Sequence, residues 1–156
     1  MLTIRKWVRI TPKEAEVNGV PIRINPTDDP LPVALYRQRV GNYPKFFKMD
    51  PLCRVGFVAS ELLLEGEPQR FEPREDRAVA LFSRSGSFVS DSLYERTIAD
   101  PAEFYPSPAI FVYTLANILT GEIAIRNKYY GETACYLLGR NELETMEATV
   151  RETLID

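Results

Sequence analysis

The chain has 156 residues, 45% of them hydrophobic, enough to bury one core of ordinary domain size. A formal net charge of −3 gives no basic surplus to neutralise phosphates, so nucleic acid is not an expected partner. Histidine is absent, which removes the commonest general base, metal ligand and proton shuttle together and excludes serine–histidine and cysteine–histidine nucleophile pairs within this sequence.

The opening MLTIRKWVRIT has no apolar run like the core of a signal peptide, and no stretch approaches the length of a membrane span, so a cytoplasmic protein is expected. LTIRKWVRI alternates, Leu2, Ile4, Val8 and Ile10 facing one way and Thr3, Arg5, Trp7 and Arg9 the other, which predicts a half-buried strand. AEVNGVPIRI centres on Asn18-Gly19, a pair that tolerates positive φ at both positions and predicts a two-residue hairpin turn. From 25 to 45 the prolines at 26, 30, 32 and 44 remove backbone donors and restrict their neighbours, predicting a proline-rich surface excursion.

Asp50-Pro51 supplies a cap and a first-turn proline for a buried helix over LCRVGFVASELLLEG, with Leu52, Val55, Ala59, Leu62 and Leu63 at helical spacing. After the polar EGEPQRFEPRED, the unbroken apolar run AVALFS reads as a strand covered on both faces, and so as part of a parallel sheet. The chain then turns at Gly86, where the serines around the glycine could cradle an anion but an ordinary turn is the simpler reading, and becomes helical through Leu93 and Ile98. Ser107-Pro108 caps the longest predicted helix, PAIFVYTLANILTGEIAIRNKYY, which stops before Gly131. ETACYLL is the third central strand, and Asn141 with Glu144 opens an amphipathic helix that carries Leu143, Met146, Val150 and Leu154 on one face. Strands separated by helices call for right-handed crossovers and a layered, mostly parallel α/β sheet with flanking helices. There is no internal repeat and no low-complexity segment, so 1–156 is read as a single domain.

Cys53 and Cys135 are the only cysteines, too few with carboxylates alone to build a zinc site, and nothing else implies a metal or a cofactor. One disulfide is possible on arithmetic, but both lie in apolar segments where a free thiol behaves as a small buried hydrophobe.

In its second half the order of motifs resembles the β-ketoacyl synthases. KMDPLCRVGFVASELLL is similar to their helix that opens with a basic residue, methionine and aspartate. PSPAIFVYTLANILTGEIAIRNKYYGE is similar to their proline-asparagine, glycine, isoleucine-arginine helix, and AVALFSRSGSFVSDS falls between the two, where that family has a strand and a glycine-rich turn. The likeness covers roughly 46–136 and is nearest to short, half-length 3-oxoacyl-acyl-carrier-protein synthase-like proteins. It implies a thiolase-like N-terminal half, here a single truncated ketosynthase-like domain. In that family the nucleophilic cysteine ends the strand; the corresponding count from Gly131 reaches Arg140, while Thr133-Ala134-Cys135 echoes the motif in mid-strand.

A reactive cysteine wants partial exposure and a helix N-terminus or nearby cation, neither of which a mid-strand Cys135 has, so core packing is preferred to nucleophilic attack. Arg140 cannot replace a thiolate, because a guanidinium stays protonated; it could grip an anion but reads more simply as a solvated turn residue. The resemblance places two catalytic histidines and a lysine in a C-terminal half that these residues do not include. Glu122 and Arg126, one turn apart, read as a helix-surface pair, Asn117 and Gly121 as close-packing positions near a subunit contact, and Phe111, Tyr113, Tyr129 and Tyr130 as packing or interface residues.

No catalytic, cofactor-binding or metal residue is therefore assigned. The expected function is that of a catalytically degenerate β-ketoacyl synthase-like protein, not active alone, acting by association in fatty-acid, polyketide or aryl-polyene-type biosynthesis. The expected partners are a second copy or a full-length ketosynthase, and an acyl-carrier protein. The alternatives are a cysteine-dependent acyltransferase or condensing enzyme completed by a partner, and a structural module with no acyl-chain role.

Overall fold

The computed structural model describes residues 2–140 and 142–153. The chain is mixed α/β and divides into two units, Met1–Arg70 and Phe71–Asp156, each built on its own sheet.

In the first unit, β1 (Val8–Ile10), β2 (Ala15–Val17) and β3 (Val20–Pro21) form an antiparallel meander. The β2–β3 turn is the one Asn18-Gly19 predicts, with φ of 50° and 79°, and the Asn18 side chain accepts a hydrogen bond from the Trp7 amide at 2.9 Å. The alternation that predicts a strand from Leu2 yields pairing only from Val8, because β2 is too short to offer partners further back, and Ile4 is left exposed.

The stretch 25–45 is not the surface excursion its prolines predict. It holds α1 (Leu31–Leu35), a π-helical turn at Tyr36–Val40 and a 3-10 turn at Pro44–Lys48, and Val33, Ala34, Leu35, Tyr36 and Phe46 are buried. Pro32 sits in the first turn of α1, where an amide has no intrahelical partner to lose, so the prolines delimit the helix without forbidding it. The Tyr36 ring stacks on Phe46 with centroids 4.0 Å apart, Tyr43 stacks on Phe57 at 4.9 Å, and the Tyr36 hydroxyl accepts from the Tyr43 amide at 2.7 Å.

Helix α2 (Pro51–Leu63) starts as predicted, with Asp50 Oδ1 accepting from the Cys53 amide at 2.8 Å. Its buried face differs from the predicted one and carries Cys53, Phe57, Val58 and Leu62, while Leu63 is exposed. The helix is apolar on most sides, so spacing does not choose a face; the aromatic cluster from 36–46 does, by selecting Phe57. Glu61 is buried on the same helix in an ion pair with Arg70.

In the second unit, β4 (Val79–Ser83) and β5 (Thr133–Leu137) run parallel, with Leu81 opposite Cys135. The parallel sheet is thus a pair among the described residues, and the N-terminal strand lies in the separate antiparallel sheet instead of joining it. Neither β4 nor β5 is covered on both faces: every β4 residue and the middle of β5 are half-buried, and Thr133 and Leu137 are exposed. Helix α3 (Phe88–Glu95) follows the Gly86 turn.

The long helix predicted from Pro108 is broken. Ser107 caps α4 (Pro108–Phe111), a 3-10 turn at Val112–Thr114 follows, Leu115 is extended, and α5 (Ile118–Asn127) leaves at 94° to the preceding segment. A straight helix could not both pack α4 against α3 and lay α5 across β4 and β5, as the chain does. Helix α6 (Leu143–Thr153) has Met146 and Val150 half-buried and Leu143 exposed; the Asn141 cap and Leu154 lie outside the described residues. Among the described residues no single helix is long and apolar enough to cross a membrane.

Gly131 sits where α5 gives way to β5. A Cβ there would press into the Arg77 carbonyl oxygen and lie 2.8 Å from that of Glu75, so only glycine lets the two backbones meet. Gly131→Ala is expected to destabilise the chain by about 1–3 kcal/mol through overpacking against backbone that cannot yield, read as a lower midpoint in chemical denaturation.

Candidate functional site

The candidate with reactive chemistry, Cys135, lies in the middle of β5, and the turn after β4 and the break before α5 come close to that strand. Strand β5 puts the Cys135 side chain against the break between α4 and α5, where Sγ donates to the Ala116 carbonyl oxygen at 3.3 Å. The thiol is unpaired with any other sulfur, and burial pushes its pKa up. At neutral pH it is therefore a neutral S–H group engaged with a carbonyl, the reverse of the lowered, cation-supported state that makes a thiolate nucleophile.

Gly86 closes the turn after β4 at φ +50°, with its amide donating to Ser83 Oγ at 2.9 Å. This internal bond uses the Gly86 amide, a backbone donor that an anion cradle at the turn would need. A Cβ on Gly86 would lie 3.0 Å from Leu137 Cδ2 and 3.6 Å from the Ala116 Cβ, so the turn, the helix break and the end of β5 meet at one point. Nothing in the sequence marks Ala116, since its role comes from a carbonyl freed by a helix break that local pattern does not announce.

The other candidates stand apart from this point or do ordinary work. Arg140 lies beyond β5 with its side chain 85% exposed, paired with Glu142 at 3.0 Å, so it is the solvated turn arginine of the simpler reading. Cys53 is fully buried in the first unit, in no disulfide, on the first turn of α2. Glu122 is not on a helix surface: it is buried in α5, and Arg126 lays its guanidinium over the Phe71 ring at 4.8 Å from the centroid. Of the aromatic candidates Tyr113 is buried, Phe111 packs against Tyr94 with centroids 5.3 Å apart, and Tyr130 is exposed. Among the described residues no group of three His, Cys, Asp or Glu is placed to hold a metal ion.

Asn117 takes the N-cap position of α5, and its carbonyl accepts from Thr120 Oγ1 at 2.8 Å. Gly121 has open space around it, with nothing within 4 Å of an added Cβ, so its smallness serves no packing within the described chain. Gly121→Ala is expected to stabilise the chain by about 0.5–1 kcal/mol through helix propensity, measured by thermal or urea unfolding at high dilution. For Cys135, the alkylation rate followed by peptide mass is expected to be slow at pH 7 and still climbing at about pH 9; a rate that levels off below pH 8 would mean an activated thiolate.

Comparison of the chain with protein-family models, curated proteins and solved structures finds no match in any of the three.

Proposed function

We propose that the chain is a catalytically degenerate β-ketoacyl synthase-like protein that acts by association, with a second copy or with a complete ketosynthase. On this reading α2 and the β4–α5–β5 unit belong to one thiolase-like half. The observation that supports association is how the second unit distributes its apolar surface. Its sheet has two strands among the described residues, each with one edge outside a ladder, and no residue of either strand is fully buried. Phe88, Phe111, Leu115, Ile125, Tyr130 and Leu137 are each roughly half exposed or more, whereas Thr120, Glu122 and Asn127 are buried. A unit that turns large apolar groups outward at this frequency gains from being covered.

The degenerate half of the proposal rests on the cysteine. Cys135 is held in mid-strand as a neutral thiol bonded to a carbonyl, and the sequence offers no histidine to deprotonate it. Catalysis by the mechanism of the resembled family needs a thiolate and proton-transfer groups that these residues do not provide. Acyl-carrier protein remains the partner class that such ancestry would favour, in fatty-acid, polyketide or aryl-polyene-type synthesis.

Two measurements test this reading. Sedimentation at micromolar concentration is expected to give a dimer, or a complex with an added full-length ketosynthase, and Leu137→Glu is expected to weaken it at least tenfold while leaving the unfolding midpoint near that of the parent. A strict monomer that binds neither would end the proposal. Intact mass after incubation with an acyl-thioester is expected to show no adduct; acylation of Cys135 would make the chain an enzyme or half-site instead.

A further inference from the structure

We infer that the first unit holds a site for a small monocarboxylic acid with an apolar body, in the cleft between the turn before β2 and the extended segment after β3. The cleft has a volume of about 430 Å³, within the range of small-molecule sites, and every residue that lines it falls between Pro12 and Ala34. The inference concerns ligand binding and does not rest on the association proposed above.

The walls of the cleft are fixed by the chain itself. Thr11 Oγ1 accepts from the amides of Lys13 at 3.3 Å and Glu14 at 3.1 Å, which ties down the turn carrying Pro12 and Lys13. Along the extended segment the Ile22 amide donates to the Ala15 carbonyl at 2.8 Å. Three residues on, the Gln38 side-chain amide takes the place of a neighbouring strand, accepting from the Asn25 amide at 2.8 Å and donating to the Asn25 carbonyl at 3.2 Å. Pro21 and Pro26 restrict the same segment further. A ligand therefore meets a cleft whose backbone is already ordered, and binding loses less entropy for it.

The lining decides what fits. Ala15 and Ala34 are each 2% exposed and, being small, leave space that the half-buried Ile22, Ile24 and Leu31 border. Such a surface takes up an alkyl or aryl group. Three charged residues line the cleft with them. Glu14 is bonded at 3.2 Å to Arg9, which also holds Glu16, and Asp29 is bonded to Arg37 at 2.9 Å, so both lining carboxylates have counter-ions within the unit. Lys13 has none: among the described residues its ammonium makes no ion pair and no side-chain hydrogen bond. The uncompensated charge is thus a single positive one, which a carboxylate matches, while Glu14 and Asp29 disfavour the greater negative charge of a phosphate. A cationic ligand would instead meet Lys13 as a like charge.

Three probes that share a body and differ in head group test the site on the full chain: 3-phenylpropanoate, 3-phenylpropan-1-ol and 3-phenylpropylammonium. Followed by amide chemical shifts, the carboxylate is expected to give saturable changes centred on 13–15 and 22–25 below about 10 mM, the alcohol weaker ones and the ammonium ion none. Lys13→Met is expected to weaken the carboxylate about threefold or more with the unfolding midpoint unchanged, and Lys13→Glu to turn the preference toward the ammonium ion. Equal binding of all three probes, changes centred elsewhere or no saturable change would overturn the site, as would a carboxylate affinity indifferent to Lys13→Met. The comparison of head groups on the parent chain decides the matter even where a variant does not fold.

Discussion

The approach of Gly131 to the carbonyls of Glu75 and Arg77 sets the geometry of the second unit, because a strand can pair only where its neighbour's backbone can reach. Around that contact the Tyr130 amide donates to the Arg74 carbonyl at 2.7 Å and the Val79 amide to that of Glu132 at 2.8 Å, so the register of the parallel pair is established before either strand begins. Lys128, in the left-handed conformation at φ +55°, ends α5 and aims the chain at this crossing. The place of Cys135 follows. Register puts it opposite Leu81, in the middle of the strand and under the helix break, and the thiol that in the resembled family would stand at a strand's end is here part of the packing.

The two units solve burial differently. The first concentrates its apolar mass, with Leu35, Phe46, Phe57 and Val58 entirely out of water and rings from three consecutive segments stacked together. Among its described residues the deeply buried charge, Glu61, is matched by Arg70, the condition under which a buried carboxylate can persist. The second unit encloses polar groups on α5 and faces aromatic and aliphatic groups outward from α3, α4 and β5. This contrast, more than any single residue, motivates association as the proposed mode of action.

Local chemistry was readable wherever a structure is determined within a few residues. The Asn18-Gly19 turn, the Asp50 and Ser107 caps and the parallel character of AVALFS and ETACYLL all depend on φ preferences, capping geometry or β-rich composition, and all are present. The candidate site was readable only as a cysteine in a strand. Its bond to Ala116 and its closeness to Gly86 depend on a helix break and on a pairing partner some fifty residues away, and neither leaves a local mark.

From sequence alone come the mixed α/β character, the caps and turns, and the absence of histidine that removes whole classes of catalysis. Tertiary structure decided which face of α2 is buried, that 25–45 belongs to a core, and that the segment from Pro108 bends by 94° where its composition would run straight. The reason is the same in each case. Helix propensity varies by less than about 1 kcal/mol per residue among ordinary side chains, while burying an aromatic ring or seating a helix on a sheet contributes about 1.5–3 kcal/mol per side chain, so long-range packing overrules local preference wherever the two conflict.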